Sequence, residues 1–295
     1  MKIRLLSGSC YVAILIAFYC LKIFVHDFCF DALIYAFALL GTGEMLRAMK
    51  EKTTKSQRAI VTAYSIVSVP LCALGEYFYG SGFTMICVCT LLLAVALLSL
   101  LVFDHEKTGM ENLGVALLSA VYPTLLLCVL ALANHAVCPP RLERYGFDSS
   151  LMMLFIFVVS PCSDSIAYVF GCSMRKRFPK KMAPNISPNK TVIGGIGGLV
   201  GGVLGAAALY FIYGAAVGTY DNMRLVLPVY LGIGLIGAVA TEFGDLVESC
   251  IKRKVGVKDM GKIMPGHGGV LDRIDGTLFT TLVTYLAFMV IYFVI

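Results

Sequence analysis

Carboxylates, basic side chains and glycines are concentrated between residues 248 and 275 of an otherwise apolar chain. Asp245 precedes this stretch, and Asp272 and Asp275 end it at a spacing of three residues. A Pro-Gly-His-Gly-Gly turn lies between them, and the remaining polar positions are mainly basic: Lys252, Arg253, Lys254, Lys258 and Lys262. Carboxylates can bind a divalent cation, and lysine and arginine can bind phosphate groups. The stretch is therefore the first candidate for an active site.

The three aspartates are predicted to converge. Asp245 lies near the end of one predicted helix, and Asp272 and Asp275 occupy the first turn of the next. A hairpin loop over about 249–269 would return the second pair to the depth of the first residue. Three such charges repel one another unless a cation lies among them, and Mg²⁺ prefers oxygen ligands. The alternative is a structural ion-pair network with Arg273 and nearby lysines.

The predicted loop between these helices can bind phosphates or serve a simpler purpose. Its basic side chains can pair with a polyphosphate, or they can anchor the loop at lipid head groups. Gly268 and Gly269 allow backbone N–H groups to approach an anion at the start of a helix. His267 either contacts phosphate or forms a hydrogen bond that shapes the turn.

A second polar element lies upstream. Asp164 and Tyr168 are four residues apart and share one helical face. Ser187, Lys190 and Thr191 belong to a Ser-Pro-Asn-Lys-Thr segment in which Pro favours a helix-entry turn, and a basic cytoplasmic loop precedes it. The glycines of 194–205 then predict close helix packing, with phosphate binding at the first of them as the alternative.

Composition indicates a membrane protein. Of 295 residues, 59% are apolar and 14% are charged, against about 25% charged residues in soluble domains. We predict an all-α, polytopic integral membrane protein forming a single domain over 1–295. Residues 1–135 would form scaffold and lipid-facing helices, and 150–295 the catalytic helices. About nine spans are expected near 5–25, 28–48, 59–79, 83–103, 112–133, 150–171, 191–214, 225–248 and 270–294.

Loop charges predict the orientation. With the N-terminus in the cytoplasm and the C-terminus outside, nearly all of the 24 Lys and Arg fall in cytoplasmic loops, as the positive-inside rule requires. The exceptions are Lys22, Arg141, Arg144 and Arg224. The candidate site then faces the cytoplasm. Because the basic residues lie beside apolar segments, they indicate contact with the bilayer, not with nucleic acid. The 11 Cys lie mostly in apolar stretches, so we expect no disulfide framework.

Residues 249–275, SCIKRKVGVKDMGKIMPGHGGVLDRID, resemble the signature of the phosphatidate cytidylyltransferase (CDP-diacylglycerol synthase) family. The Asp-x-x-Ala-Tyr segment at 164–168 and the Ser-Pro-x-Lys-Thr segment at 187–191 resemble two further elements of that family. The chain departs from it at Met264, where Leu is usual, and at Ile193, where Glu is usual.

The resemblance implies that CTP and phosphatidic acid react to give CDP-diacylglycerol and pyrophosphate in phospholipid biosynthesis. It implies Mg²⁺ as cofactor with K⁺ beside it, a homodimer, and a place in the bacterial inner membrane. Asp245, Asp272 and Asp275 would be the metal-binding, catalytic acids. Three further catalytic residues would be Lys258, His267 and Arg273. Substrate-binding residues would be Asp164, Tyr168, Ser187, Lys190, Lys252, Arg253, Gly268 and Gly269.

Two other functional classes compete with this interpretation. Another membrane enzyme that uses CTP or CDP-lipids, such as a lipid kinase or a CDP-alcohol phosphotransferase, would share the acids. The latter family carries an Asp-Gly-x-x-Ala-Arg pattern, whereas Asp275-Gly276 lacks the Ala-Arg that should follow. A transporter would be expected to show inverted repeats and acids near mid-membrane. The sequence shows no such repeat, and its acids lie at predicted helix ends.

Overall fold

The computed structural model describes residues 2–143, 145–217 and 223–294. Within these ranges, nine helical spans are long and apolar enough to cross a membrane. The helices are α1 (Lys2–Phe24), α2 (Phe28–Ala48), α3 (Lys55–Tyr79), α4 (Gly82–Phe103), α5 (Met110–Ala120), α6 (Leu126–His135), α7 (Pro140–Glu143), α8 (Ser149–Met174), α9 (Val192–Val217), α10 (Met223–Val255) and α11 (Leu271–Val294). The predicted all-α polytopic membrane fold with nine spans is confirmed.

The fifth span is interrupted by one turn of π-helix at Val121–Leu125, between α5 and α6. Pro123 lies in this turn, and because proline has no backbone N–H it cannot continue the regular hydrogen-bond ladder. Thr124, from the same turn, bonds to Thr42 of α2 at an Oγ1–Oγ1 distance of 2.7 Å. The helix therefore continues through the span with a wider turn that is fixed by a buried contact.

Two local predictions were wrong. Helix α10 runs to Val255 instead of ending near 248, so Lys252, Arg253 and Lys254 lie in its last turn and not in the loop. Lysine and arginine are good helix formers and favour helix C-termini, which the apolar pattern alone does not reveal. Gly256, at φ 73°, follows the helix as a typical left-handed terminator.

The second wrong prediction concerns the polar segment before α9. Strand β1 (Lys181–Ala183) pairs antiparallel with β2 (Ser187–Thr191), with Thr191 opposite Lys181 and Ser187 opposite Ala183. Pro188 therefore lies within β2 and does not form the expected helix-entry turn. A two-stranded hairpin tolerates proline because each strand has one edge without a ladder partner.

The chain divides into two compact units. Unit 1 comprises Met1–His135 and Val255–Ile274, and unit 2 comprises Ala136–Lys254 and Asp275–Ile295. Unit 1 thus contains α1–α6, the loop after α10 and the first residues of α11. Unit 2 contains α7–α9, the hairpin and most of α10 and α11. Arg144, one of the basic residues predicted to lie on the non-cytoplasmic side of the membrane, is not among the residues that the structure describes.

The core of unit 1 is built from apolar side chains of α2–α5. Leu46, Val61, Leu93 and Leu97 are buried and pack with small residues of α5. Unit 2 has an aromatic core instead, in which Tyr230 lies 4.9 Å from Phe155 and Phe147 lies 5.7 Å from Phe288 between ring centroids.

Close packing of α8 on α9 depends on glycines of α9. A Cβ atom at Gly201 would lie 2.5 Å from the carbonyl oxygen of Cys162 and 2.8 Å from Cβ of Ile166. A Cβ at Gly197 would lie 2.6 Å from Cβ of Phe170. These distances show that the glycine-rich segment serves helix packing along much of its length.

We expect Gly201→Ala to lower the stability of the protein by about 1–3 kcal/mol, because its methyl group overlaps backbone of α8. Gly232→Ala in α10 is the matched control, since a Cβ there meets nothing within 4 Å. Thermal unfolding in detergent should show a lower midpoint for the first variant only. Equal midpoints for the two variants would contradict the packing assignment.

Candidate functional site

In unit 1 the loop 256–270, here called the signature loop, joins α10 to α11 and folds back on itself. The N–H of Met264 donates to the carbonyl of Gly268 at 2.9 Å, and the N–H of His267 donates to the carbonyl of Met264 at 2.9 Å. Gly266 and Gly268 have φ angles of 77° and 85°, which residues other than glycine rarely adopt. These glycines are therefore required by the turn itself.

Asp272 organises this loop. Its Oδ2 atom accepts hydrogen bonds from the N–H groups of Met260 at 2.9 Å and of Gly269 at 2.8 Å. The residue is 8% exposed, and Gly268 packs directly against its carboxylate. The backbone N–H of Gly269, expected to bind substrate, thus already has a partner within the protein.

The basic residues of the loop face a common cavity of about 460 Å³. Its lining includes Lys258, Lys262, His267 and Arg273, with Asp259 as the acidic member. The structure therefore brings together Lys258, His267 and Arg273, to which the family resemblance assigned catalytic roles beside the aspartates. A cavity with this excess of positive charge is suited to a polyphosphate.

Helix α1 contributes a contact to the same loop. The hydroxyl of Ser7 lies 2.6 Å from Nδ1 of His267 and donates to the carbonyl of Pro265 at 3.1 Å. Gly8 also faces the imidazole, since a Cβ there would lie 3.4 Å from Cε1 of His267. His267 therefore both shapes the turn and lines the cavity, so its two predicted roles are compatible.

Glu44 does not belong to the predicted site, although it contacts the signature loop. It lies near the end of α2, is fully buried, and accepts backbone N–H groups of that loop with both carboxylate oxygens. An acid in an apolar helix was the available signal. Its partner could not be recognised because it is a backbone segment more than 200 residues away in the chain.

In unit 2, Lys190 lies between two carboxylates. Its Nζ is 2.8 Å from Oδ2 of Asp245 and 3.0 Å from Oε2 of Glu242. Burial alone would lower the pKa of Lys190, but the two carboxylates outweigh burial and raise it above its ordinary value. Lys190 therefore carries a positive charge at neutral pH.

A cavity of about 650 Å³ opens beside this ion pair. Asp164, Tyr168, Lys190 and Asp245 line it, together with Gly194 and Gly195 and other residues of α8 and α9. Four polar residues that the sequence singled out are thus brought together. Ser187 instead lies at the other end of β2, opposite Ala183 in the hairpin.

Asp245 and Asp275 are neighbours in unit 2. Helices α10 and α11 approach closely, because a Cβ at Gly244 would lie 2.6 Å from the carbonyl oxygen of Asp275. A Cβ at Gly276 would lie 3.3 Å from Oδ1 of Asp245. The glycines allow this approach and place both acids on facing helix turns.

Two basic residues expected to bind substrate have protein partners. Lys252 forms an ion pair with the fully buried Glu248 at 2.5 Å, one helical turn earlier in α10. Arg253 donates to the carbonyl of Ile186 in the hairpin turn at 3.4 Å. Their positions at the end of α10, and not in the loop, bring these partners within reach.

The donor chemistry of Asp245 and Asp275 fits a hard cation. Mg²⁺ keeps several water ligands and is usually held by one or two carboxylates together with substrate phosphates. Within either unit, the described residues form no group of three His, Cys, Asp or Glu side chains able to hold a metal ion. Asp272 belongs to unit 1, so convergence of all three aspartates stays a prediction.

Comparison with known proteins adds a decisive observation. A sequence profile of the Cytidylyltransferase family matches residues 3–291. The chain belongs to this family. The match includes both cavities and the whole signature loop, so the two groups of polar residues fall within one family pattern.

Curated members of the family are similar to the chain to different extents. A phosphatidate cytidylyltransferase from Bacillus subtilis (strain 168) is 33% identical over 95% of this chain and 94% of the relative. One from Staphylococcus aureus (strain COL) is 42% identical over 43% of this chain and 45% of the relative. One from Staphylococcus saprophyticus is 41% identical over 52% and 54%. The chain therefore matches about half the length of the staphylococcal relatives.

We expect Lys190→Met to destabilise unit 2 by about 1–3 kcal/mol, because Asp245 and Glu242 lose their shared cation. Since the pKa of Lys190 is raised above its ordinary value, Lys190 stays charged at neutral and moderately alkaline pH, and its contribution to stability is lost only as pH rises through the raised pKa. Thermal unfolding at pH 7 should therefore show the loss.

Two control variants separate this effect from a change in overall charge. Lys190→Arg keeps the cation and should retain most of the stability. Lys176→Met removes an exposed lysine of the same region and should leave the unfolding midpoint nearly unchanged. A Lys190→Met midpoint equal to that of Lys176→Met would contradict the role of the ion pairs.

Proposed function

We propose that the protein is a phosphatidate cytidylyltransferase that makes CDP-diacylglycerol and pyrophosphate from CTP and phosphatidate. The observation that carries this proposal is the cavity lined by Lys258, His267 and Arg273, which lies within a signature matched by the family profile. The near full-length similarity to the Bacillus subtilis relative supports the same reaction and a bacterial membrane location.

The reaction requires positioning and charge neutralisation more than covalent chemistry by the protein. A phosphate oxygen of phosphatidate attacks the α-phosphorus of CTP, and the bond from that phosphorus to the leaving pyrophosphate breaks. No general base is needed, because a phosphate monoester is already ionised near pH 7. Lys258, Lys262 and Arg273 offset the negative charge of the phosphates, and His267 can donate to a phosphate oxygen.

Asp245, Asp272 and Asp275 would hold Mg²⁺, which when bound neutralises phosphate charge and withdraws electron density from the reacting phosphorus. Lys190 has a separate task in unit 2, since its ammonium group compensates Asp245 and faces the cavity shared with Asp164 and Tyr168. The proposal also includes K⁺ and a homodimer, which the family resemblance supports. It places the site on the cytoplasmic side, which the positive-inside pattern supports.

Purified protein supplied with Mg²⁺, radiolabelled CTP and phosphatidate should release label into the lipid fraction as CDP-diacylglycerol. Asp272→Asn should reduce turnover by about 100- to 1,000-fold, because a neutral amide cannot replace the carboxylate as a ligand of the Mg²⁺ that neutralises the phosphates. The matched control is Asp104→Asn, which removes only a surface pair with Lys107.

Three results would contradict the proposal. The first is normal activity of the Asp272→Asn variant in folded protein. The second is label transferred to a different lipid product, as a kinase or a CDP-alcohol phosphotransferase would give. The third is the absence of any lipid product from folded wild-type protein with Mg²⁺ present, which would favour a transporter.

A further inference from the structure

Glu44 of α2 is a fully buried carboxylate that binds the start of α11. Its Oε1 accepts the N–H of Val270 at 3.1 Å, and its Oε2 accepts the N–H of Leu271 at 2.9 Å. Leu271 is the first residue of α11, so these N–H groups are donors that the helix itself cannot satisfy. A carboxylate at this place also interacts favourably with the helix dipole.

Two glycines of the signature loop are shaped around the same carboxylate. A Cβ atom at Gly261 or at Gly269 would overlap the carboxylate atoms of Glu44. Gly261 also lines the basic cavity, so one residue separates the buried acid from the space between Lys258 and Arg273. Neither glycine has the positive φ that would explain its presence by backbone conformation. Contact with Glu44 therefore explains both glycines.

The carboxylates of Glu44 and Asp272 together hold four backbone groups of the loop. Asp272 accepts from Met260 and Gly269, and Glu44 accepts from the next two residues along the chain. The segment from Met260 to Leu271 is thereby fixed at both ends, and the side chains of Lys262 and His267 project from it into the cavity. Arg273 lies in the first turn of α11, so the contacts of Glu44 with the start of that helix also fix the position of Arg273.

We propose that Glu44 is a positioning residue for the nucleotidyl transfer proposed above. It touches no substrate, but its carboxylate sets the loop geometry in which the cavity cations meet the phosphates of CTP. This inference rests on the proposed function. It assigns a role in the C-terminal signature to an acid of the N-terminal half.

Glu44→Gln tests the inference with little change in volume. The amide keeps one acceptor oxygen but presents N–H to a backbone N–H, so one of the two hydrogen bonds is lost. We expect the KM for CTP and the Kd for CTP, measured by calorimetry with Mg²⁺ present, each to rise about 10-fold or more. A purely structural defect would lower the active fraction and hence the apparent kcat, but would leave KM unchanged.

Glu76→Gln is the matched control. Glu76 of α3 also accepts a backbone N–H at a helix start, from Gly82 at 2.9 Å. It lies near the other end of α2, because its neighbour Tyr77 contacts Phe28. Phe28 and Glu44 are sixteen residues apart on α2, which is about 24 Å along a helix. The control variant should keep the wild-type KM and Kd for CTP.

Gly261→Ala gives an independent test that does not alter Glu44. Its methyl group would displace the carboxylate, so CTP binding should weaken as in Glu44→Gln. In a Glu44→Ala background the same substitution keeps only its approach to Cα of Gly269, at 2.9 Å, so it should add a smaller loss than in the wild type, which is the non-additivity expected of contacting residues. Gly43→Ala, where a Cβ meets nothing within 4 Å, is the control for glycine replacement.

The outcomes separate this inference from the proposed function. Wild-type protein that neither binds CTP nor forms a lipid product would overturn the proposed function. An active wild type, with Glu44→Gln matching Glu76→Gln in KM and Kd, would overturn the role of Glu44 alone. If Glu44→Gln does not fold, wild-type CTP affinity in folded Gly261→Ala would overturn it, and additive losses in the double variant would do the same.

Discussion

A charge placed among membrane-spanning helices must find its partner within the protein, because hydrocarbon offers none. This constraint governs the polar residues of both units. Lys190 is balanced by Glu242 and Asp245, and Lys252 by the buried Glu248. Glu44 is balanced differently, by backbone N–H groups at the start of a helix. The local backbone follows from these pairings, since the hairpin delivers Lys190 and the signature loop closes around a carboxylate.

The same pairings decide which groups remain available for a ligand. The N–H groups of Gly269, Val270 and Leu271 donate to carboxylates, so these donors at the start of α11 are not available to bind an anion. The proposed function therefore assigns phosphate recognition to side chains, chiefly Lys258, Lys262 and Arg273 around their cavity. The glycines of the signature consequently serve the turn and its packing. Because the carboxylates hold this glycine-rich loop in one conformation, its cationic side chains have fixed positions.

Much of the fold could be predicted from the sequence, because hydropathy over about 20 residues is a strong signal for a membrane span. The end of α10 was misplaced because Lys252 to Lys254 are polar but helix-forming, so the apolar pattern stops before the helix does. The hairpin at β1 and β2 was missed because strands of this length carry almost no periodic signal. The composition of the candidate site could be read from the signature. The bond from Glu44 to the loop could not, since side-chain-to-backbone contacts over long sequence separations leave no spacing pattern.

Buried charge alone does not identify a functional site in this protein. Unit 1 contains a second polar cluster, in which Lys22 bonds to Asp27 at 2.5 Å and His135 to Asp31 at 2.5 Å, with Asn134 linking the two pairs. There the ionisable groups are directed at one another, and aromatic rings of Phe28 and Tyr77 pack over His135. Around the signature loop the carboxylates instead bind backbone, which leaves the cationic side chains facing a cavity. The proposed site therefore differs from this cluster in that its acids bind the main chain, which leaves basic side chains directed at a cavity.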